Sequence, residues 1–280
     1  MRFANVFTAM ADVLAGYLIV VGTQLRFFEL LGLLLASTCI YGAGCVLNDL
    51  WDWEKDAKER PFRPLPSGRV SCLEALSLLA LLFVVGLSAS LPVGYPSGVV
   101  AFSLVLLVFS YNLLTKEMDY LGPLNMGVCR AFNLLLGMSP HLSPLEIPAL
   151  FPVISLLYVF SLTVLSRFEV NAGLGRKQWL VVAGWAGVVL VTAGLMAEGL
   201  LLWEAAIFLC SFVAWTGLPL LKGLLDSKPE AVGKAVKALI LGLPLLDAVY
   251  VSGVQGFAFG IPVLLCIVPA VLISRHLYVT

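Results

Sequence analysis

Ten apolar runs, each near the length of a bilayer crossing, leave this chain little choice of fold. They lie at about 6–24, 29–48, 71–91, 96–114, 121–139, 148–166, 178–196, 201–221, 235–252 and 257–274 of the 280 residues. A helix needs roughly 20 apolar residues to cross the hydrocarbon core. Charged residues make up only 12% of the chain, against about 25% in soluble domains. The expectation is an all-α integral membrane protein, a single polytopic domain over residues 1–280. Only Arg2 is basic ahead of the first run, which leads on into a second span, so that run reads as a membrane helix rather than a signal peptide.

The basic residues test the span count. With the N-terminus on the cytoplasmic side, the inside segments hold Arg2, Lys55, Lys58, Arg60, Arg63, Arg69, Lys116, Arg167, Arg176, Lys177, Lys222, Lys228, Lys234 and Arg275. The outside loops hold only Arg26. This asymmetry alternates loop by loop and puts both termini in the cytoplasm. The membrane expected is a bacterial inner membrane. The formal net charge of +0 gives no electrostatic case for nucleic acid. None of the six cysteines forms a CxxC pair, so they read as buried apolar thiols. His141 reads as a surface-loop residue.

Between the second and third runs stands the densest block of charge, NDLWDWEKDAKERPFRPLPSGR over residues 48–69. On a helix Asp49, Asp52 and Asp56 share a face. Oxygen ligands without His or Cys suit a hard ion such as Mg²⁺, which takes one or two carboxylates plus water and substrate phosphate. Arg60, Arg63 and Arg69 follow, interleaved with Pro61, Pro64 and Pro66. The prolines end the helix, and the arginines offer forked donors for phosphate oxygens. By spacing alone, a phosphorylated-substrate site and a solvated loop of mixed charge fit equally well.

Other polar residues fall near or inside the spans. Tyr111 and Lys116 close the fourth run, and Lys116 also suits a snorkelling interface lysine. Asp12, Asn125, Arg130, Asn133 and Asp247 lie within spans. Such groups normally face a protein interior or a wet cavity. Asn125, Arg130 and Asn133 are read as one cavity-lining face, with interhelical hydrogen bonding open for the asparagines. Arg130 needs a countercharge or water.

Asn48-Asp49-x-x-Asp52-x-x-x-Asp56, the arginine–proline loop, Tyr111 with Lys116, and the opening Arg2-Phe3-Ala4-Asn5 with Ala11-Asp12-Val13-Leu14-Ala15-Gly16 together resemble the UbiA superfamily of intramembrane prenyltransferases. The resemblance implies a ring of about nine to ten transmembrane helices around a lipid-open central cavity. It implies Mg²⁺-dependent transfer of an isoprenyl group from a prenyl diphosphate to an aromatic or polar-lipid acceptor. It assigns Asn48, Asp49, Asp52 and Asp56 to the first metal motif, and Arg60, Arg63 and Lys116 to the diphosphate, with Tyr111 beside it. Arg130, Asn133 and Arg167 become substrate-binding candidates, and Glu169 a metal ligand. The family's second motif, Asp-x-x-x-Asp after the sixth span, is altered here. Leu165 stands at its first acid and Glu169 at its second, in a Ser-Arg-x-Glu pattern similar to an EboC-like branch. The tenth span exceeds the usual nine. The missing acid motivates a rival reading, a non-catalytic isoprenoid or isoprenoid-phosphate binder. A transporter fits less well, because the charge gathers at one membrane face and no clear inverted repeat or broken-helix pair shows at mid-membrane.

Overall fold

A computed structural model describes residues 4–141, 147–169, 177–226 and 228–276. Arg2, Asn171 and Arg176 lie outside the described residues, as does the side chain of Glu169. The described residues hold helices and no strand. The membrane helices are α1 (Ala4–Val21), α2 (Phe27–Trp51), α4 (Cys72–Ser90), α5 (Tyr95–Ser110), α6 (Leu121–Met138), α7 (Phe151–Ser166), α8 (Gln178–Ala197) and α9 (Ala206–Asp226). Two more crossings are broken in the middle, which corrects the expectation of no broken-helix pair: α10 (Pro229–Leu241) with α11 (Leu243–Gln255), and α12 (Phe257–Leu265) with α13 (Ile267–His276). A short helix, α3 (Trp53–Glu59), follows α2. All ten expected crossings are present as helical segments.

Seven helical segments among the described residues are long and apolar enough by themselves to cross a membrane. Helix α6 is not among them, because Asn125, Arg130 and Asn133 dilute its apolarity. Its membrane position is set by its neighbours, since it packs against α1, α5 and α7. The α1–α6 crossing is unusually close. A Cβ on Gly16 would sit 2.3 Å from the Leu134 carbonyl oxygen, and one on Gly137 would sit 2.3 Å from that of Val13. Only glycine permits that approach, as at other small-residue helix crossings in membranes.

The distribution of polarity is inverted relative to a soluble protein. Leu73, Leu81, Val84, Leu190, Leu218 and Leu225 are exposed on the outside. Thr8, Asp12, Ser37, Asn112, Asn133 and Asp247 are buried within. That is the arrangement lipid imposes on costly polar groups. It also corrects the expectation for the thiols. Cys39 is buried, but Cys72 and Cys210 are exposed. In a bilayer the outer surface is itself apolar, so a thiol gains little from moving inward.

Helices α1, α2, α5, α6, α7 and the α10–α11 span enclose a central cavity of about 480 Å³. The other membrane helices contribute no lining residues and support this ring from outside. The tenth span belongs to that support, packing on α1 and α11.

Candidate active site

The cavity is polar at both ends. One end, the rim, is built where helix α2 stops. Trp51 is its last residue, Asp52 adopts φ −86° and ψ 6°, and α3 restarts at Trp53. Backbone hydrogen bonds continue through Asp52, and its side chain stands apart from the face that Asp49 and Asp56 share. Asp52 lies on the cavity wall beside Asn48 and is ion-paired with Lys116. Asp56 is buried and meets Arg63 at 2.5 Å, while the more exposed Asp49 lies 3.6 Å from the same guanidinium. Among the described residues no three acidic, His or Cys side chains converge as a metal site. The expected face is therefore divided into two parts, Asp52 with Lys116 and Asp49 with Asp56 around Arg63.

The loop after α3 is shaped by its prolines and by its own hydrogen bonds. Pro64 accepts from the Val70 N–H at 3.1 Å, and Gly68 turns the chain at φ 72°, a conformation that favours glycine. Arg69 donates to the Phe62 carbonyl and, at 3.2 Å, to Ser67 Oγ. It therefore fastens the loop to itself. Arg60 is exposed at the end of α3. Ser71 then caps α4 in a reciprocal box with Glu74, at 3.2 and 2.8 Å.

Across the rim, helix α5 widens into a π-helical turn over Tyr111–Thr115. Such turns are frequent at functional sites. This one places Tyr111, Asn112 and Lys116 on the cavity wall. Asn112 was not singled out by the sequence, yet it is buried and accepts from Asn48 Nδ2 at 3.1 Å. The only local signal is its place next to Tyr111. Asn125 departs from the expected cavity face. Its amide meets Ser110 Oγ at 2.9 Å and Thr115 Oγ1 at 3.0 Å, so it ties α6 to the π turn. It lies five residues from Arg130, which on a helix is about 140° around the axis.

Arg167 reaches the rim from the end of α7. It donates to the Lys116 carbonyl at 2.6 Å and packs over Gly122. Lys177 pairs with Asp119 at 3.0 Å, and the ammonium holds the Asp119 carboxyl below the usual carboxylate range. Leu165 is wholly buried in the core. Glu169 closes the short turn Arg167–Glu169. Asp52, Asn112 and Lys116 also wall a second cavity of about 420 Å³ that includes Trp51, Glu54, Lys58 and Glu117.

The other end of the cavity, its floor, carries Thr8, Ser37, Arg130 and Asn133. Arg130 finds the countercharge the sequence demanded. Its Nε lies 2.6 Å from Asp12 Oδ2, and Nη2 donates to the Thr8 carbonyl at 2.6 Å. Asn133 Nδ2 donates to Asp12 and to the Ala9 carbonyl, both at 2.8 Å, and its oxygen accepts from Ser37 at 2.7 Å. Thr8 and Ser37 were missed by the sequence reading. Hydroxyls at helix positions carry no pattern that sets them apart from ordinary back-bonded Ser and Thr. Between rim and floor the wall is mostly apolar, with Ile40, Leu104, Val108, Val159, Leu162 and Ile240.

The comparisons with known proteins agree with this geometry. The chain is 28% identical over 167 residues to the digeranylgeranylglyceryl phosphate synthase of Saccharolobus solfataricus, which covers 59% of this chain and 57% of the relative. It spans about half the length of the curated relatives it matches. Its fold overlays, with a TM-score of 0.70 and 20% identity over 90% of this chain and 94% of the other, on a structure described as digeranylgeranylglyceryl phosphate synthase in membranes. A UbiA homologue from Archaeoglobus fulgidus, solved bound to DMAPP and Mg²⁺, overlays with a TM-score of 0.55 at 12% identity, covering 94% and 96%. The model of the UbiA prenyltransferase family matches residues 9–229, and the chain belongs to that family.

Proposed function

We propose that this protein transfers an isoprenyl group from a prenyl diphosphate to an acceptor inside the membrane, with Mg²⁺ at the rim. The observation that carries this reading is the cavity itself, an apolar chamber of about 480 Å³ with an acid–base rim. An apolar tail and a charged diphosphate fit those two surfaces. The residues present suit Mg²⁺. Asn48, Asp49 and Asp52 supply hard oxygen donors, and Mg²⁺ is usually held by one or two carboxylates with phosphate and water completing its shell. Bound there, the ion would neutralise charge on the leaving diphosphate.

The chain's own residues do the rest. The C–O bond breaks with its electron pair leaving on the diphosphate. Lys116, with Arg60 and Arg63 nearby in sequence and Arg167 beside it, offers positive charge and N–H donors where that negative charge grows. Such preplaced donors lower the barrier because they need no reorganisation. Tyr111 stands on the wall next to Lys116. The apolar wall excludes water from the electron-poor allylic carbon, so the acceptor's lone pair forms the new bond and the acceptor gives up a proton. Glu169 completes this proposal as a metal ligand from the end of α7. The lysine and arginine distribution supports a cytoplasmic rim and cytoplasmic termini as part of this reading. The bacterial inner membrane is part of the proposal and rests on the sequence reading.

A second reading draws on Leu165. Its side chain is locked in the core, so a carboxylate expected there is replaced by packing alone. A protein that binds prenyl diphosphate without turning it over accords with that loss. The deciding experiment follows diphosphate release by purified protein in nanodiscs, using geranylgeranyl diphosphate, Mg²⁺ and a membrane-lipid extract. Transfer predicts Mg²⁺-dependent release that Asp52→Asn lowers on the order of 10²-fold or more. Mg²⁺-dependent binding with no release would establish the binder instead.

A further inference from the structure

The floor of the cavity has hydrogen-bond donors but no spare positive charge. Asp12 and Asp247 are each 1% exposed, and their carboxyls lie within hydrogen-bonding reach of each other. Asp247 Oδ2 meets no partner among the described residues. Arg130 is the cation facing both acids. A guanidinium has five N–H groups. Arg130 sets Nε 2.6 Å from Asp12 Oδ2 as an ion pair without a hydrogen bond, and donates from Nη2 to the Thr8 carbonyl and from Nη1 to Thr8 Oγ1, at 3.3 Å. One N–H on each Nη meets no partner among the described residues, and the side chain is 11% exposed on the cavity wall.

Charge counting then limits what can dock. With two acids around one arginine, the trio is neutral if the acids share a proton and negative if they do not. It turns positive only if both acids are protonated at once, which the neighbouring guanidinium opposes. A phosphate or carboxylate arriving here would be desolvated without a compensating cation, which is a net cost in a low-dielectric interior. An uncharged oxygen gives up far less hydration and accepts the two free N–H groups. Arg130 also lies roughly 13 Å along α6 from Leu121, deep enough to address a molecule lying beneath the diphosphate.

We propose that Arg130 on the cavity floor, with Asp12 and Asp247 buried behind it, recognises the prenyl acceptor through an uncharged hydroxyl or carbonyl oxygen, and discriminates against acceptors that present an anion there. This rests on the transferase reading and adds the class of acceptor. Asp12 and Asp247 are specificity residues that act through Arg130, by cancelling its charge.

The test compares two matched probes, a geranylgeranyl glycerol ether and the phosphate monoester of the same ether. Binding is measured on the full chain in nanodiscs, with Mg²⁺ and inorganic diphosphate present to fill the rim. The neutral ether is expected to bind at least tenfold more tightly, and Asp12→Asn/Asp247→Asn, which removes both acids facing Arg130 and frees its charge, to reverse the order. Equal affinity, or preference for the phosphate by the native chain, overturns the proposal, and so does an order that this double variant leaves unchanged. If that variant does not fold, the native preference alone decides. Binding of neither probe while Mg²⁺-dependent diphosphate binding persists would overturn the floor assignment and leave the transferase reading standing. Loss of diphosphate binding itself would remove both.

Discussion

Replacing Arg130 with methionine should be among the most destabilising single changes in this protein, and a second change at Asp12 should undo most of the damage. Methionine keeps much of the arginine stem and removes the charge. Asp12 is then left 1% exposed with another carboxyl within reach and no cation. Breaking a buried ion pair from one side costs about 3–5 kcal/mol, or two to three and a half orders of magnitude in the folding equilibrium, at about 1.4 kcal/mol per tenfold. The hydrogen bonds from Arg130 to Thr8 fall within that figure. In Asp12→Asn/Arg130→Met both charges are gone, and the amide introduced at position 12 can donate to the unpartnered oxygen of Asp247. The double variant should sit within about 1–2 kcal/mol of the native chain, a coupling of at least 2 kcal/mol between neighbours. The assay is unfolding in mixed micelles against SDS mole fraction, followed by fluorescence of the six tryptophans. A single variant within about 1 kcal/mol of native would refute the account, and so would a double variant as unstable as the sum of its parts. Either result would mean that water, rather than Asp12, satisfies Arg130.

Gly122→Ala places a Cβ 2.3 Å from Arg167 Nη2 and 2.7 Å from the Thr115 carbonyl. It should displace Arg167 and weaken Mg²⁺-dependent diphosphate binding, while the α1–α6 crossing and the floor remain intact. Unchanged diphosphate titration would show that Arg167 plays no part at the rim. Asp119 should make a small, pH-dependent contribution to stability. Its folded pKa is lowered by Lys177, so the contribution is present above the unfolded value of about 3.9 and is lost as pH falls through the folded one. The melting temperature of the native chain should exceed that of Asp119→Asn slightly and evenly down to about pH 5, with the gap closing below about pH 4. A gap that widens on acidification would contradict the pairing.

Much of the architecture can be read from apolar length, because the bilayer applies one rule to every segment. The least apolar crossing, α6, was still recognisable because its polar residues stay few and are interspersed among apolar ones. The site was legible where it is local: Asn48 and Asp52, with Lys116 sixty-four residues after Asp52, all line one cavity. It failed in two places. Asp52 pairs with Lys116 away from Asp49 and Asp56, and the periodicity of an ideal helix itself turns Asn125 away from Arg130.

By itself, then, the sequence determined that this is a membrane-spanning helical protein with one charged rim, since hydrophobic length and charge placement act through the solvent and need no partner. It also demanded a countercharge for Arg130. Which acid answers, and that Asp247 joins it, was decided only by tertiary structure. Asp12 is 118 residues from Arg130 and Asp247 another 117 beyond, and no local rule couples such positions. The close glycine crossing of α1 and α6 brings the first two together, and α11 packing on α1 brings the third. The low dielectric they enter then makes their pairing obligatory.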